Sequence, residues 1–484
     1  MIKKLTNKYS LLPIQVKATF WFTVCSAVQS GCKFFTMPIL IRLLTSNEYG
    51  IYSVFLSWIQ IISIFATLKL DCGVYNNAML KYHGQRDIYT ASSQSISITA
   101  TAICTIIYFA FAGFWNSLFG IDPKYTVLIF IQLCFTEGYL LWSARQRYEY
   151  RYIKLLVSTV IFSVLYMIIP VAAAFYAPAE QRLDAVIYSG SAVQILFGAV
   201  FMIGNYLKGK CFFNRKFWKY SIGFNIPLIP HYLSGIVLGQ SDRIMIKNIS
   251  GESKAGIYSF TYNISLVINI VATAVNSAIV PFTYENLKSR DFKKLRSSAN
   301  FILIMIGSMI LLFSAVAPEF IKLFATEEYY EAIYIVPIIS LSSYYTFMQC
   351  LWGNIEFYFE ENKFITVAST AAALANIGLN ALLIPCFGYF AAGCTTLLCY
   401  MVSCFAHFIF FMCICKKHGV TEKIYDYRII ILITFVVTLS VLAMLMIYDY
   451  PLIRYFILIA GLAAMFVKRK LIITNLLKLK EKKI

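Results

Sequence analysis

Fourteen times along the chain, an apolar stretch runs for about the 20 residues that a helix needs to cross a hydrocarbon core about 30 Å thick. The stretches fall near 17–44, 51–70, 91–116, 124–144, 153–176, 184–206, 220–241, 255–281, 298–317, 331–355, 364–384, 388–412, 429–447 and 451–467. No other feature limits the fold as tightly. In hydrocarbon every backbone N–H and C=O has to be satisfied within the segment, so each run is predicted to be a helix. Strands of a membrane barrel would be shorter and would alternate apolar with polar residues, which these do not. With 60% hydrophobic and 13% charged residues, the chain carries too little charge to cover a water-soluble surface. The basic start "MIKKLTNKYS" leads into a run of spanning length without a small-residue cleavage site. That run is read as the first membrane helix rather than a removed leader.

Lysines and arginines set the direction. With the N-terminus placed in the cytoplasm, those on the inner side outnumber those on the outer side roughly fourfold, a strong positive-inside bias. Both termini are then cytoplasmic. The same bias accounts for the formal net charge of +19. The basic residues are scattered at helix ends rather than gathered on one face, which argues against nucleic acid and for anionic membrane lipid as the partner. The 13 cysteines lie mostly inside apolar runs and form no Cys-x-x-Cys pair. No metal and no cofactor are expected.

A short repeat organises the helices. Gly50-Ile51-Tyr52-Ser53 returns as Gly256-Ile257-Tyr258-Ser259. The span assignment puts the first copy in the outer loop between helices 1 and 2 and the second in the outer loop between helices 7 and 8. An even number of helices separates them, so both point the same way. The expected fold is therefore an all-α polytopic membrane protein with two parallel six-helix repeats and two appended helices. The expected bounds are 1–208 for the first lobe, 209–414 for the second, and 415–484 for helices 13 and 14 with the basic tail. Parallel repeats of this kind build alternating-access transporters with a cavity at the lobe interface.

On these segments a family resemblance rests. "MPILIRLLTSNEYGIYSVF", "IPLIPHYLSGIVLGQSDRIMIKNISGESKAGIYSFTYNIS", "EEYYEAIYIVPIIS" and "NALLIPCFGYFAAG" resemble the polysaccharide (O-antigen, Wzx-type) flippases. These belong to the multidrug/oligosaccharidyl-lipid/polysaccharide exporter superfamily. The resemblance spans nearly the whole chain. It implies a transporter of the bacterial plasma (inner) membrane rather than an enzyme. Its cargo would be an oligosaccharide on an undecaprenyl-pyrophosphate carrier, moved from the inner to the outer leaflet, with other polysaccharide-assembly proteins as partners.

A polar head cannot cross hydrocarbon unaided, so a flippase needs cations for the pyrophosphate and hydrogen-bonding groups for the sugars. Lys33 lies past the middle of helix 1, about 24 Å from its inner end, where a charge is costly and faces a cavity or a partner unless it snorkels. Lys69, Arg42, Arg243 and His231 are the further candidate substrate contacts. Glu137, Asp71 and Asp242 are the candidates for coupling a proton or cation. Glu137 is expected about 10 Å from the inner end of helix 4, and Gly138 beside it suits a close helix approach. Asp71 reaches a similar depth only if helix 2 runs on to about residue 78. Pro227 and Pro230 each remove a backbone donor, making helix 7 a broken, hinge-like element. Asp242 and Arg243 are expected to close that helix at its outer end, with Arg42 and Glu48 in the similar place of the first repeat. Each of these residues also has an ordinary packing or helix-end explanation.

Two rival functions follow the same architecture less well. A membrane polysaccharide polymerase or ligase would need a sizeable outer loop with catalytic residues, and the outer loops here are short. A drug or metabolite antiporter of the same superfamily shares the fold, which does not by itself fix the substrate.

Overall fold

The structure, a computed structural model, describes residues 13–361, 363–470 and Thr474. The basic N-terminal decapeptide and most of the lysine-rich tail, on which the cytoplasmic placement of the termini partly rests, lie outside the described residues. The chain is all helical. In order come α1 (Ile14–Leu43), α2 (Ser46–Thr67), α3 (Val74–Lys81), α4 (Arg86–Ala110), α5 (Ala112–Phe119), α6 (Pro123–Tyr148), α7 (Tyr152–Tyr176), α8 (Arg182–Gly209) and α9 (Arg215–Asn225). They are followed by α10 (Ile229–Ser250), α11 (Glu252–Ser265), α12 (Val267–Lys288), α13 (Phe292–Phe324), α14 (Ile335–Tyr358), α15 (Lys363–Phe387), α16 (Phe390–Lys417), α17 (Tyr427–Met446) and α18 (Pro451–Val467).

All fourteen predicted segments fall on helix. Among the described residues, 12 helices are long and apolar enough to span a membrane. The remaining two predicted segments are α18, which has 17 residues, and α14, whose 24 residues include Asn354 and Glu356. Most of α14 is buried, so protein rather than lipid surrounds its polar side chains. Large apolar side chains elsewhere point outward, among them Phe35, Ile106, Phe175 and Leu196, and Leu374, Ile431 and Phe435. On a multi-pass membrane protein such a surface meets acyl chains.

Two compact units are present, Met1–Ile244 and Met245–Ile484. In the first, α1 lies along α7 and α6 along α8. The α6–α8 crossing is close because both helices bring a glycine to it. A Cβ on Gly138 would lie 2.5 Å from the Gly198 carbonyl oxygen, and one on Gly198 would lie 2.4 Å from that of Phe135. The amide of Asn205 then donates to the Gly138 carbonyl at 3.0 Å and to Gln94 Oε1 at 3.0 Å. Trp58 anchors an aromatic cluster, its indole N–H donating to the Phe119 carbonyl at 3.0 Å. A second cluster gathers Tyr75 of α3, Tyr82 just after it, Tyr89 of α4 and Phe217 of α9.

In the second unit α14 is the centre, packed along α16. Within its core Trp352 meets Phe411 at a tilt and Tyr425 edge to face. The short α18 is fastened by Arg454, which is 3% exposed. Its guanidinium makes a two-pronged contact with Glu319 at 2.7 and 2.8 Å and also donates to the Ala315 carbonyl at 2.9 Å.

The tetrapeptide repeat is not in loops. Thr45 caps α2 through its hydroxyl and the Glu48 carboxylate, and only two residues separate α1 from α2. Gly50 is thus the fifth residue of α2, and Gly256 is the fifth residue of α11, after a single-residue link at Gly251. The expected loops were too long because polar Ser, Asn, Glu and Lys residues populate the first helical turns. The equivalence of the two positions stands.

Candidate functional site

A stripe of hydroxyl side chains ending in a lysine marks α1. Thr19, Thr23, Ser26, Ser30 and Lys33 recur at steps of four and three, which places them on one helix face. That face is accessible rather than covered by the rest of its unit. Thr19, Thr23 and Ser26 donate to carbonyls four residues back, at 2.8, 3.0 and 3.2 Å, so their protons are satisfied and their lone pairs stay available. Phe35 and Ile39 are exposed on the other side of the helix and Phe20 on its flank. An α1 with two uncovered faces, one greasy and one polar, fits a helix between lipid and a wet interior path. Lys33 ends the polar face, ten residues before the C-terminal end of α1, or about 15 Å along the axis. Among the described residues no carboxylate lies within ion-pair distance of it.

A second polar site forms where helix 2 breaks. The expected continuation to about residue 78 does not occur: α2 stops at Thr67 and α3 begins at Val74. Leu68 and Lys69 both take left-handed backbone conformations, φ 51° and 49°. Such residues cost about 1–2 kcal/mol each, so the surroundings must hold them there. Asn225 does so, its amide donating to the carbonyls of both Leu68 and Lys69 at 2.8 Å. The break carries Lys69 and Asp71 to Glu137, and the three lie within electrostatic reach of one another. Glu137 is 0% exposed, and its carboxylate faces the Asp71 backbone with no side chain among the described residues hydrogen-bonded to it. One oxygen of Asp71 is buried and unpartnered. Because α6 extends to Tyr148, Glu137 sits near the middle of its helix, about 16 Å from the end rather than 10 Å.

Helix 7 is interrupted where its prolines stand. A short 3₁₀ turn, Ile226–Leu228, containing Pro227, separates α9 from α10, and Pro230 occupies the first turn of α10. Asn225 is the last residue before this turn, so it joins the break after α2 to the break before α10. His231 follows Pro230, and its Nδ1 is buried without a hydrogen-bond partner among the described residues.

Asp242 and Arg243 do not close their helix. The apolar Ile244 and Ile246 carry α10 on to Ser250, and both charged residues are buried within it, 1% and 6% exposed. Arg243 donates to Gln240, whose side chain reaches Ser57 at 3.1 Å and Gln60 at 3.3 Å on α2. Arg42 is exposed in the last turn of α1, and Glu48 serves the Thr45 cap. The structure thus brings Lys69, Asp71 and Glu137 together. Lys33 on α1 stands apart from that group.

One buried pair has no counterpart in the sequence reading. Glu356 of α14 and His407 of α16 are 0% and 1% exposed, with His407 Nδ1 at 2.8 and 3.1 Å from the two carboxylate oxygens. They stand far apart in sequence within apolar runs, so only the pairing of α14 with α16 reveals them.

The family model described as "Polysaccharide biosynthesis protein" matches residues 15–287, which contain α1, both helix breaks and Glu137. The chain belongs to this family of polysaccharide biosynthesis proteins. It is similar to "Lsg locus putative protein 1" of Haemophilus influenzae, 22% identical over 360 residues that cover 70% of this chain and 84% of that one. It is also similar to the "Capsular polysaccharide biosynthesis protein CapF" of Staphylococcus aureus, 22% identical over 338 residues, covering 67% and 81%. Among solved structures, the lipid II flippase MurJ in an inward closed conformation superposes with a TM-score of 0.65 at 14% identity, covering 92% of this chain and 100% of that one. An inward-facing multidrug resistance MATE transporter of the MOP superfamily gives 0.60 at 14% identity, covering 82% and 96%. The chain therefore shares the fold of these two structures.

Proposed function

We propose that the protein is a flippase that carries a lipid-linked oligosaccharide, on a polyprenyl diphosphate such as undecaprenyl pyrophosphate, from the inner to the outer leaflet by alternating access. The observation that carries this reading is the uncovered polar face of α1 ending in Lys33. A charge at the end of such a face is costly against lipid and suits a path for water and polar cargo. Hydroxyl lone pairs along the face suit sugar hydroxyls, and the lysine suits a phosphate. Glu137, held beside Lys69 and Asp71 at a helix break, is the proposed point where a proton or cation is taken up. The breaks at Leu68–Gly73 and Ile226–Leu228, tied by Asn225, are the proposed hinge, with Pro227 and Pro230 freeing its backbone. Membership of the polysaccharide family favours a glycan over a drug as the cargo.

The test is translocation of a fluorescent lipid-linked oligosaccharide in proteoliposomes. The wild type is expected to move it. Lys33→Ala and Glu137→Gln are expected to slow it at least tenfold while melting as the wild type does. Equal rates for both variants would remove the two residues from the mechanism, and an inert wild type would remove the function.

A further inference from the structure

The turn between α6 and α7 holds an arginine-lined cleft that the path just described does not use. We propose that it is a docking site for the diphosphate group of a prenyl-linked substrate, occupied before the head group enters the protein. The inference rests on the flippase reading and adds a first binding step to it.

The cleft encloses about 710 Å³ and is lined by Arg86, Arg147 and Arg151, with Asn76, Tyr148 and Tyr150 between them and Glu149 at its centre. That volume falls within the range of small-ligand sites. The backbone builds it from a helix C-terminus. The N–H of Arg151 donates to the Gln146 carbonyl at 2.8 Å and that of Tyr150 to Arg147 at 3.2 Å, with Tyr150 left-handed at φ 53°. This is a Schellman turn made without the usual glycine.

Glu149 organises the guanidinium groups. It lies 3.1 Å from Arg145 Nε, 3.0 Å from Arg151 Nε and 3.7 Å from Arg86 Nη1. Arg145 is also paired with Asp87. Arg86 is further fixed by donating to the Met79 carbonyl at 3.0 Å and by lying over the Tyr148 ring at 5.0 Å. Among the described residues no carboxylate pairs with Arg147. The lining therefore carries three cations against one carboxylate, and Arg86 and Arg151 are already held in place. Guanidinium forks in fixed positions bind phosphate oxygens two at a time and lose little freedom in doing so. A diphosphate presents the complementary charge and enough oxygens for all three.

The second unit supplies a control within the same chain. The turn between α14 and α15 has the same geometry, with Glu360 left-handed at φ 58°, Glu360 N–H donating to Phe357 at 3.2 Å and Glu361 N–H to Glu356 at 2.9 Å. Its residues are Phe359-Glu360-Glu361. The turn itself therefore does not require arginine.

The experiment uses the full chain in phosphatidylcholine nanodiscs titrated with farnesyl diphosphate, with inorganic pyrophosphate as competitor and a parallel set of discs containing phosphatidylglycerol. The wild type is expected to bind farnesyl diphosphate and to release it to pyrophosphate. Arg147→Ala/Arg151→Ala is expected to weaken binding at least tenfold, and Arg147→Lys/Arg151→Lys less than the alanine pair. Wild-type affinity in the alanine variant would overturn the proposal. So would displacement by phosphatidylglycerol but not by pyrophosphate, which would mark a membrane-lipid contact. If the alanine variant does not fold, the lysine variant and the pyrophosphate competition decide, and absence of competition refutes the site. Loss of binding in the variant alongside a wild type inert in translocation would keep the cleft and reject the flippase. Translocation by the wild type with binding unchanged in the variant would do the reverse.

Discussion

Replacing Gly138 by alanine tests whether the α6–α8 crossing positions the carboxylate next to it. The new Cβ would lie 2.5 Å from the Gly198 carbonyl oxygen and 2.8 Å from both the nitrogen and the Cβ of Met202. Two of these three atoms are backbone, so no rotamer change relieves the clash. Ordinary contact begins near 3.4 Å, which requires the helices to part by about 0.9 Å. Overpacking of this kind costs about 1–3 kcal/mol. Separation also stretches the 3.0 Å hydrogen bond from Asn205 to the Gly138 carbonyl, and a buried amide left short of a partner costs a further 1–3 kcal/mol or so. Alanine returns about 1 kcal/mol of helix propensity. The net expectation is a loss of about 1–5 kcal/mol, read by denaturant unfolding of the purified protein in micelles with tryptophan fluorescence. Gly198→Ala meets Phe135 at the same crossing, so the double variant should lose much less than the sum of the two single losses. A stability within about 0.5 kcal/mol of wild type, or strict additivity, would refute the reasoning.

Further outcomes follow from the other contacts. Asn225→Ala removes the clamp on the Leu68 and Lys69 carbonyls and is expected to cost about 1–3 kcal/mol, with translocation falling more than tenfold; a variant as active as wild type would separate the break from function. Glu356→Ala leaves His407 buried without its carboxylate and should cost about 3–5 kcal/mol, whereas Glu356→Gln, which keeps an acceptor, should cost less by the same unfolding assay. Arg454→Ala should leave Glu319 unpaired and release α18, seen as faster proteolysis after residue 446 with the rest of the chain intact.

The helices were legible because a membrane span leaves a 20-residue signature that nothing else in the chain imitates. The broken helix 7 was legible too, since Pro227 and Pro230 announce a missing donor. The break after α2 was not. Leu68 and Lys69 are poor left-handed residues, and what holds them there is Asn225, which is remote in sequence. Without that break, Asp71 and Glu137 could be matched in depth but not seen to share a site with Lys69. Helix ends misled in both directions. Ser46–Tyr49 and Glu252–Lys254 read as loop but open helices, and Asp242–Arg243 read as an end but lie inside α10. Glu356 and His407 escaped notice because pairing between helices has no period in the sequence.

The account depends on α1 having a wet face and a greasy face, and thiol labelling measures this directly. Single cysteines at positions 19, 20, 23, 26, 30, 33, 35 and 39, placed in a background without the native cysteines, would be exposed to a membrane-impermeant maleimide in intact membranes. Labelling at 19, 23, 26, 30 and 33, with none at 20, 35 and 39, is the predicted pattern. Labelling of the second set, or none of the first, would contradict a polar path along α1.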